Sequence, residues 1–362
     1  MIVNVRPIAV ALSAAALFAL NAPAALAAPA SHGPSREQIR TCESTGDIAS
    51  DLRISTCSAV VDASKNKHQK AVAYTNRGKA YRAKGSADQA VQDFDKAIQL
   101  DDHAADAFYN RGLTYRDRGD PDRTVQDLEQ AIKYDKRNAN AFNVLSHLYY
   151  DRRDYAHAVD VLSQAVRLTP NSELPFFNRG MAYRAKGEPD RAIPDYDRAI
   201  KLNASDSLAY HARSIAYRDI RDYERAIQDF DQAIKLNPNF ILALNDRGIA
   251  YASKGEVERA IQDFDQAILL DPRDAFAYNN RGLAYRNRGE TDRAIKDYDQ
   301  AALLDSNYVL AYYNRGNAFY DKHDYDRAIA NYDKAISLDS GYALAYYDRG
   351  ISYSRSVITR RR

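Results

Sequence analysis

Tryptophan is absent from the 362 residues, and cysteine and methionine occur only twice each. Two cysteines exclude a disulfide-dense scaffold. With no histidine close to either thiol, they also cannot complete a zinc shell. Lysine and arginine number 51 against 49 acidic residues, a formal net charge of +2. That balance excludes a general attraction to nucleic acid. The chain has no Walker A loop, no G-x-S-x-G, no H-E-x-x-H and no dinucleotide fingerprint. Its seven histidines are scattered, with His147 and His157 on different helices of one repeat. No cofactor, no metal and no catalytic activity are expected. Beyond Ala27 no run is long and apolar enough to span a bilayer.

The chain begins with a leader. Arg6 supplies a positive start, Ile8 to Leu20 is apolar, and Ala25-Leu26-Ala27 has the A-x-A form of a cleavage site. Residues 1–27 read as a secretory signal peptide cleaved near Ala27, the alternative being an uncleaved anchor. The expected location is therefore exported, periplasmic or secreted, with no transmembrane segment once the leader is removed. In an oxidising compartment Cys42 and Cys57 are expected to pair, the alternative being two free thiols. Closing that loop contributes roughly 3 kcal/mol in the chain-entropy picture. Residues 28–35, with Pro29, Gly33 and Pro34, read as a linker. Residues 36–70 read as two short helices forming a cap that hides the apolar end of a repeat array.

The array shows itself as an Arg-Gly pair that recurs at a fixed period. It stands at Arg77-Gly78, Arg111-Gly112, Arg179-Gly180, Arg247-Gly248, Arg281-Gly282, Arg315-Gly316 and Arg349-Gly350. The two missing steps are legible as Leu145-Ser146 and Arg213-Ser214. Eight full units run from Ala71 to Tyr342, and a final helix from Ala343 ends in the basic tail Arg360-Arg361-Arg362. The tail reads as a frayed end or as a contact to an anionic surface. A fixed period of this length means one small helical unit copied and stacked.

In the first unit Tyr74, Gly78 and Tyr81 share one helical face, as do Ala90, Phe94 and Ala97 on a second helix. Gly78 lets the partner helix come close, and Gly85 ends the first helix. Ser86 or Asp88 is expected to cap the second. Pro194, inside a second helix, is expected to kink it. Asp93, Asp127, Asp195, Asp263 and Asp297 each follow a repeat arginine at one fixed separation. Where Leu145 replaces the arginine, Val161 replaces the acid, so the two positions are expected to touch, with Asn331 serving Arg315.

This pattern resembles the tetratricopeptide repeat. The period of about 34 residues, the aromatic–Gly–Tyr helix, the Ala–aromatic–Ala helix and the prolines Pro170, Pro238 and Pro272 between repeats all match it. The resemblance implies an all-α fold, a right-handed superhelical solenoid of helix-turn-helix units whose first helices line the concave side. It is specific for fold and says little of function.

Spacing on the first helices picks out a candidate peptide-binding groove. The central units supply Leu174, Phe177, Met181 and Arg184, then Leu208, His211, Ile215 and Arg218. The next supply Leu242, Asn245 and Ile249, then Phe276, Asn279, Leu283 and Arg286, and the last full unit Leu310, Tyr313 and Asn317. An apolar stripe edged with Arg and Asn suits an extended or helical peptide with some acidic groups. The competing reading is that adjacent first helices consume these side chains. By resemblance, Asn76, Asn110, Asn178, Asn280 and Asn314 form an asparagine ladder that grips peptide backbone; the competing reading is local bonding. The carboxylate clamp of some family members is incomplete, because Thr75, Tyr109 and Tyr313 stand where its first lysine would be.

The expectation is a protein–protein interaction scaffold, resembling exported bacterial members of the family and serving envelope or secretion assembly, with a protein or peptide partner and no nucleic acid. Two alternatives stand beside it: self-assembly through the open C-terminal helix, giving a homo-oligomer, and a glycan-binding or enzyme-accessory role.

Overall fold

The computed structural model describes residues 33–360. The leader, most of the linker and the last two arginines lie outside the described residues. The described residues are helical without any strand, and none of their helices is long and apolar enough to cross a membrane. They form two compact units, one up to Ala107 and one from Phe108 onward.

The first unit opens with α1 (Arg36–Glu43) and α2 (Ser50–Ala63), followed by α3 (Lys67–Ala83) and α4 (Ala87–Leu100). Ser35 and Gln38 form a reciprocal capping box at the start of α1. Cys42 and Cys57 are joined by a disulfide with their Cα atoms 4.9 Å apart. Both are fully buried among Val60, Val61 and Ala73. α3 begins ahead of Ala71, because Asn66 accepts from the Gln69 amide and starts the helix at Lys67. Gly85 follows α3 with φ 75°, the left-handed turn that favours glycine. Ser86 stands at the N-cap of α4, but its hydroxyl makes no capping bond.

α5 (Ala105–Asp117) carries the boundary and pairs in sequence with α6 (Pro121–Tyr134). The remaining pairs are α7 (Ala139–Asp151) with α8 (Tyr155–Leu168), α9 (Glu173–Ala185) with α10 (Pro189–Leu202), and α11 (Ser207–Asp219) with α12 (Tyr223–Leu236). Then come α13 (Ile241–Lys254) with α14 (Val257–Leu270), α15 (Ala275–Asn287) with α16 (Thr291–Leu304), and α17 (Val309–Asp321) with α18 (Tyr325–Leu338). α19 (Ala343–Arg360) is the final helix among the described residues and packs on α18. Asp120, Asp154, Asp222 and Asp324 cap the second helices by accepting the amide three positions on. Pro194 does not interrupt α10, which is continuous through it. Pro194 and Asp190 both lie on the exposed side, so the carbonyl freed by the missing N–H faces water.

In the pairs that begin with α3, α9, α13, α15 and α17 the glycine sits under the ring of the second helix, whereas Gly112 faces Asp127 and Leu128. A Cβ built on Gly248 would lie 2.7 Å from Phe264 Cε1, and one on Gly316 2.6 Å from Tyr332 Cε1. Only glycine allows that approach without displacing the ring. The fully buried alanines on either side of the ring, Ala260 and Ala267 beside Phe264, complete the contact.

The arginine beside the glycine joins three helices. Arg247 on α13 donates from Nε and Nη2 to both oxygens of Asp263 on α14, at 2.9 and 2.6 Å. Its Nη1 donates to Asp231 on α12, the second helix of the preceding repeat, at 2.6 Å. Arg213 does the same with Asp229 and Asp197, and Arg281 with Asp297 and Asp265. Arg77 forks onto Asp93 and reaches Ser58 of α2, so α2 stands against α3 where a preceding second helix stands elsewhere. Arg111 and Arg179 fork onto Asp127 and Asp195, and Arg315 reaches Asn331. Burial pushes the Asp263 carboxyl above its usual pKa, and Arg247 offsets this only in part. With both oxygens accepting from a guanidinium, the pair is the charged, two-pronged kind.

Candidate functional site

In the second unit each second helix packs on the first helix of the next repeat, and the first helices of neighbouring repeats also touch one another. α9 packs on α11, α11 on α13, α13 on α15, α15 on α17 and α17 on α19, whereas among the described residues no two second helices pack to that degree. The first helices therefore form the tighter, inner side of this unit, and they carry the groove candidates.

Leu174, Leu208, Leu242, Phe276, Leu310 and Leu344 are each the second residue of their helix and recur once per repeat. All six are exposed, at 42 to 63% of their full surface. A scattered exposed leucine needs no explanation. Six in register along successive helices form an apolar line that burial within this chain does not account for. The line begins at α9, because α5 and α7 carry Asp106 and Asn140 at the same place. Beneath it lie Phe177, Met181, Ile215 and Ile249, half-buried, and the more exposed Leu283. Phe177 and Met181 pack on the cluster around Tyr196, and Ile215 and Ile249 on that around Phe264.

The polar groove candidates are engaged within the chain. Arg184 donates to Asp219 of the next first helix at 2.8 Å, and Arg286 to Asp321 at 2.6 Å. His211 and Arg218 share Asp246, at 2.8 and 2.6 Å. Burial would raise the Asp246 carboxyl, but the His211 hydrogen bond and the Arg218 charge hold it below the usual carboxylate range. Tyr313 donates to Asp348 at 2.7 Å. Asn317 accepts from Tyr332 at 2.8 Å. These side chains strap each first helix to its neighbours and do not offer free charge to an acidic peptide.

Asn245 and Asn279 do not line the groove, contrary to the expectation from helical spacing. They are buried, at 2 and 3% exposure. Asn245 donates to Asp274, the residue that caps α15, and Asn279 accepts from Asn314 at 2.9 Å. Their position on the helix falls between two first helices rather than over the open face.

The asparagine ladder is not a uniform row either. Asn110 and Asn178 are buried, with Asn178 3.5 Å from His147. Asn314 is spent on Asn279, and the buried Nδ2 of Asn280 has no protein partner. Asn76 is half-buried in the first unit. The acids at the far ends of the straps, Asp219, Asp246, Asp321 and Asp348, were missed by sequence reasoning. Their signal was a spacing of 28 to 35 residues from Arg, His or Tyr.

In the first unit Asp101, Asp102 and His103 bring three potential ligand atoms within 4.8 Å of one another, and no second feature marks the place as an ion site.

Helix pairs stacked through a repeated glycine contact and a repeated ion pair, with an unfilled apolar line on the inner face, define an all-α repeat solenoid. That is the class of fold that presents a surface to protein partners. The family pattern described as TPR repeat matches residues 78–119, 250–289, 282–322 and 316–356. The pattern described as tetratricopeptide repeat matches 109–173, 177–241 and 230–262. The chain belongs to the tetratricopeptide repeat family. No curated protein matches it.

Among solved structures it is similar to a tetratricopeptide repeat protein from Parabacteroides merdae ATCC 43184. That likeness has 20% identity and a TM-score of 0.58, over 69% of this chain and 98% of that one. It is also similar to a structure of the APC/C hetero-tetramer Cut9–Hcn1, at 16% identity and a TM-score of 0.53, over 87% of this chain and 62% of that one. Both likenesses concern the fold alone.

Proposed function

We propose that this chain is an interaction scaffold that holds a segment of a partner protein along the inner face of its second unit. The observation that carries the reading is the in-register line Leu174, Leu208, Leu242, Phe276, Leu310 and Leu344. From α9 onward each repeat offers one apolar contact at the start of its first helix, on a surface whose charged groups Arg184, Arg218 and Arg286 are already paired. Such a face grips by apolar anchors at repeated intervals, as an amphipathic helix or an extended strand presents them. It selects weakly for charge. No catalytic step is assigned to it.

An exported setting is part of the proposal. It is supported by the leader-like composition of residues 1–27 and by the Cys42–Cys57 disulfide, which an oxidising compartment favours. Envelope or secretion assembly is the corresponding role. α1 and α2 serve as the N-terminal cap, which is supported by the place α2 takes against α3 and by the Arg77–Ser58 contact.

The experiment is affinity capture from the native envelope fraction with the intact chain and with a Leu208→Ser, Leu242→Ser, Phe276→Ser variant. All three side chains are exposed, so the variant is expected to keep its helicity and melting point. The proposal expects a partner held by the parent chain and released by the variant. Equal capture by both would remove the inner face as the binding site.

A further inference from the structure

Among the described residues α19 carries an unfilled copy of the packing site that the other first helices use, and its chemistry specifies what fills it. Between α15 and α16 the ring of Tyr298 covers Gly282, and Asp297 receives Nε and Nη2 of Arg281. Tyr285, one turn further along α15, is 7% exposed. In α19 the equivalent residues are Gly350, Arg349 and Tyr353. A Cβ on Gly350 would meet nothing within 4 Å, and Tyr353 is 51% exposed. Tyr346 and Val357, on the same face, are exposed as well. Arg349 makes the backward contact that Arg213, Arg247, Arg281 and Arg315 make, Nη1 to Asp333 at 2.6 Å. Its Nε and Nη2, the two prongs that elsewhere close on an acid of the following helix, have no partner among the described residues.

We infer that the exposed face of α19 is a second docking site. Its occupant is an amphipathic helix of another protein carrying Ala-x-x-Asp-(Phe/Tyr)-x-x-Ala, with Glu tolerated for the Asp. The carboxylate accepts both free prongs of Arg349, and the ring that follows it covers Gly350. The two alanines let the helix lie close, as Ala294 and Ala301 do around Asp297 and Tyr298. The occupant is acidic on this face. The charge this face presents is Arg349, whose Nη1 is held by Asp333 and whose other two donors await an acid. A second copy fits less well: the one acid of α19, Asp348, already accepts from Tyr313, and the second helices of another copy already hold their own first helices. The site is independent of the inner face and stands or falls without it.

The test uses the full mature chain and a helix-stapled synthetic peptide with the sequence of residues 291–304, labelled for fluorescence anisotropy. Saturable binding is expected below about 1 mM. Replacing the peptide's Asp297 by Ala is expected to weaken it about tenfold, the worth of one charge-assisted pair. Arg349→Ala in the chain gives the same loss, and the two changes together give little more than either alone. Gly350→Leu, at a position open to solvent, fills the socket and abolishes binding while leaving the melting point in place. No saturable binding by the parent chain, or binding unaffected by Gly350→Leu, would overturn the inference. A concentration-dependent dimer of the chain alone that Gly350→Leu dissolves would overturn the choice of occupant in favour of a second copy.

Discussion

Leu145 and Val161 belong to one apolar cluster, at the two positions where six other units hold an arginine forked onto an aspartate. Leu145 is fully buried there beside Val125, Leu128 and Ala141. The fold thus carries, within one chain, both the ionic and the apolar solution to the same packing problem. The ionic one is common and more specific in geometry. It is not required for the helices to meet.

That pair defines a double-mutant cycle. Asp263→Val removes the acceptors of Nε and Nη2 of Arg247, leaving only Asp231 on Nη1, and is expected to cost about 3 kcal/mol. Arg247→Leu with Asp263→Val copies the natural Leu–Val pair, and is expected to recover most of that loss. Urea denaturation followed by circular dichroism measures both. A double variant as unstable as the single one would show that the ion pair is indispensable in its own repeat.

Three residues hold a backbone shape that suits glycine. Arg153, Arg221 and His323 have φ of 60, 63 and 62°, at the place where Gly85, Gly119, Gly187, Gly255 and Gly289 end the other first helices. A side chain in this region costs roughly 1–2 kcal/mol. Arg221→Gly is therefore expected to stabilise the chain by about 1 kcal/mol, read as a higher urea midpoint with an unchanged slope.

The tyrosines give the chain an alkaline limit. Burial pushes Tyr308 to about 12. Burial and then the hydrogen bond to Asp348 push Tyr313 to about 12 as well. A phenol whose pKa is raised by folding contributes stability that is whole below about pH 10, the unfolded value, and is lost as pH rises towards 12. Stability should therefore decline across that window. Tyr313→Phe should flatten part of the decline, measured by melting temperature against pH. A Tyr313→Phe profile identical to the parent's would remove Tyr313 from the account.

Much of this architecture was legible in the residues. The period named the unit, the Leu145 and Val161 exchange named the Arg–Asp contact, and the pairing of Cys42 with Cys57 followed from having two cysteines behind a leader-like segment. The groove was legible only in its apolar half. Leu208 and Leu242 announce themselves by recurring at a fixed helical position. Arg184, His211, Arg218 and Arg286 look equally outward on a helical wheel, yet each is used by an acid on the first helix of the following repeat. Only the stacking distance between repeats brings Asp219 or Asp246 within reach, and no single helix records it. Asn245 and Asn279 failed for the same reason, since their burial is imposed by a neighbouring helix.

The central claim is that the inner face of the second unit receives a partner segment. Site-specific photo-crosslinking tests it most directly. A photoreactive residue replaces Leu242 on the inner line or Leu269, which is 73% exposed on a second helix. The chain is then irradiated in an extract of its native cell. The account predicts a discrete adduct from position 242 and none of the same mass from 269. The same adduct from 269, with none from 242, would contradict it.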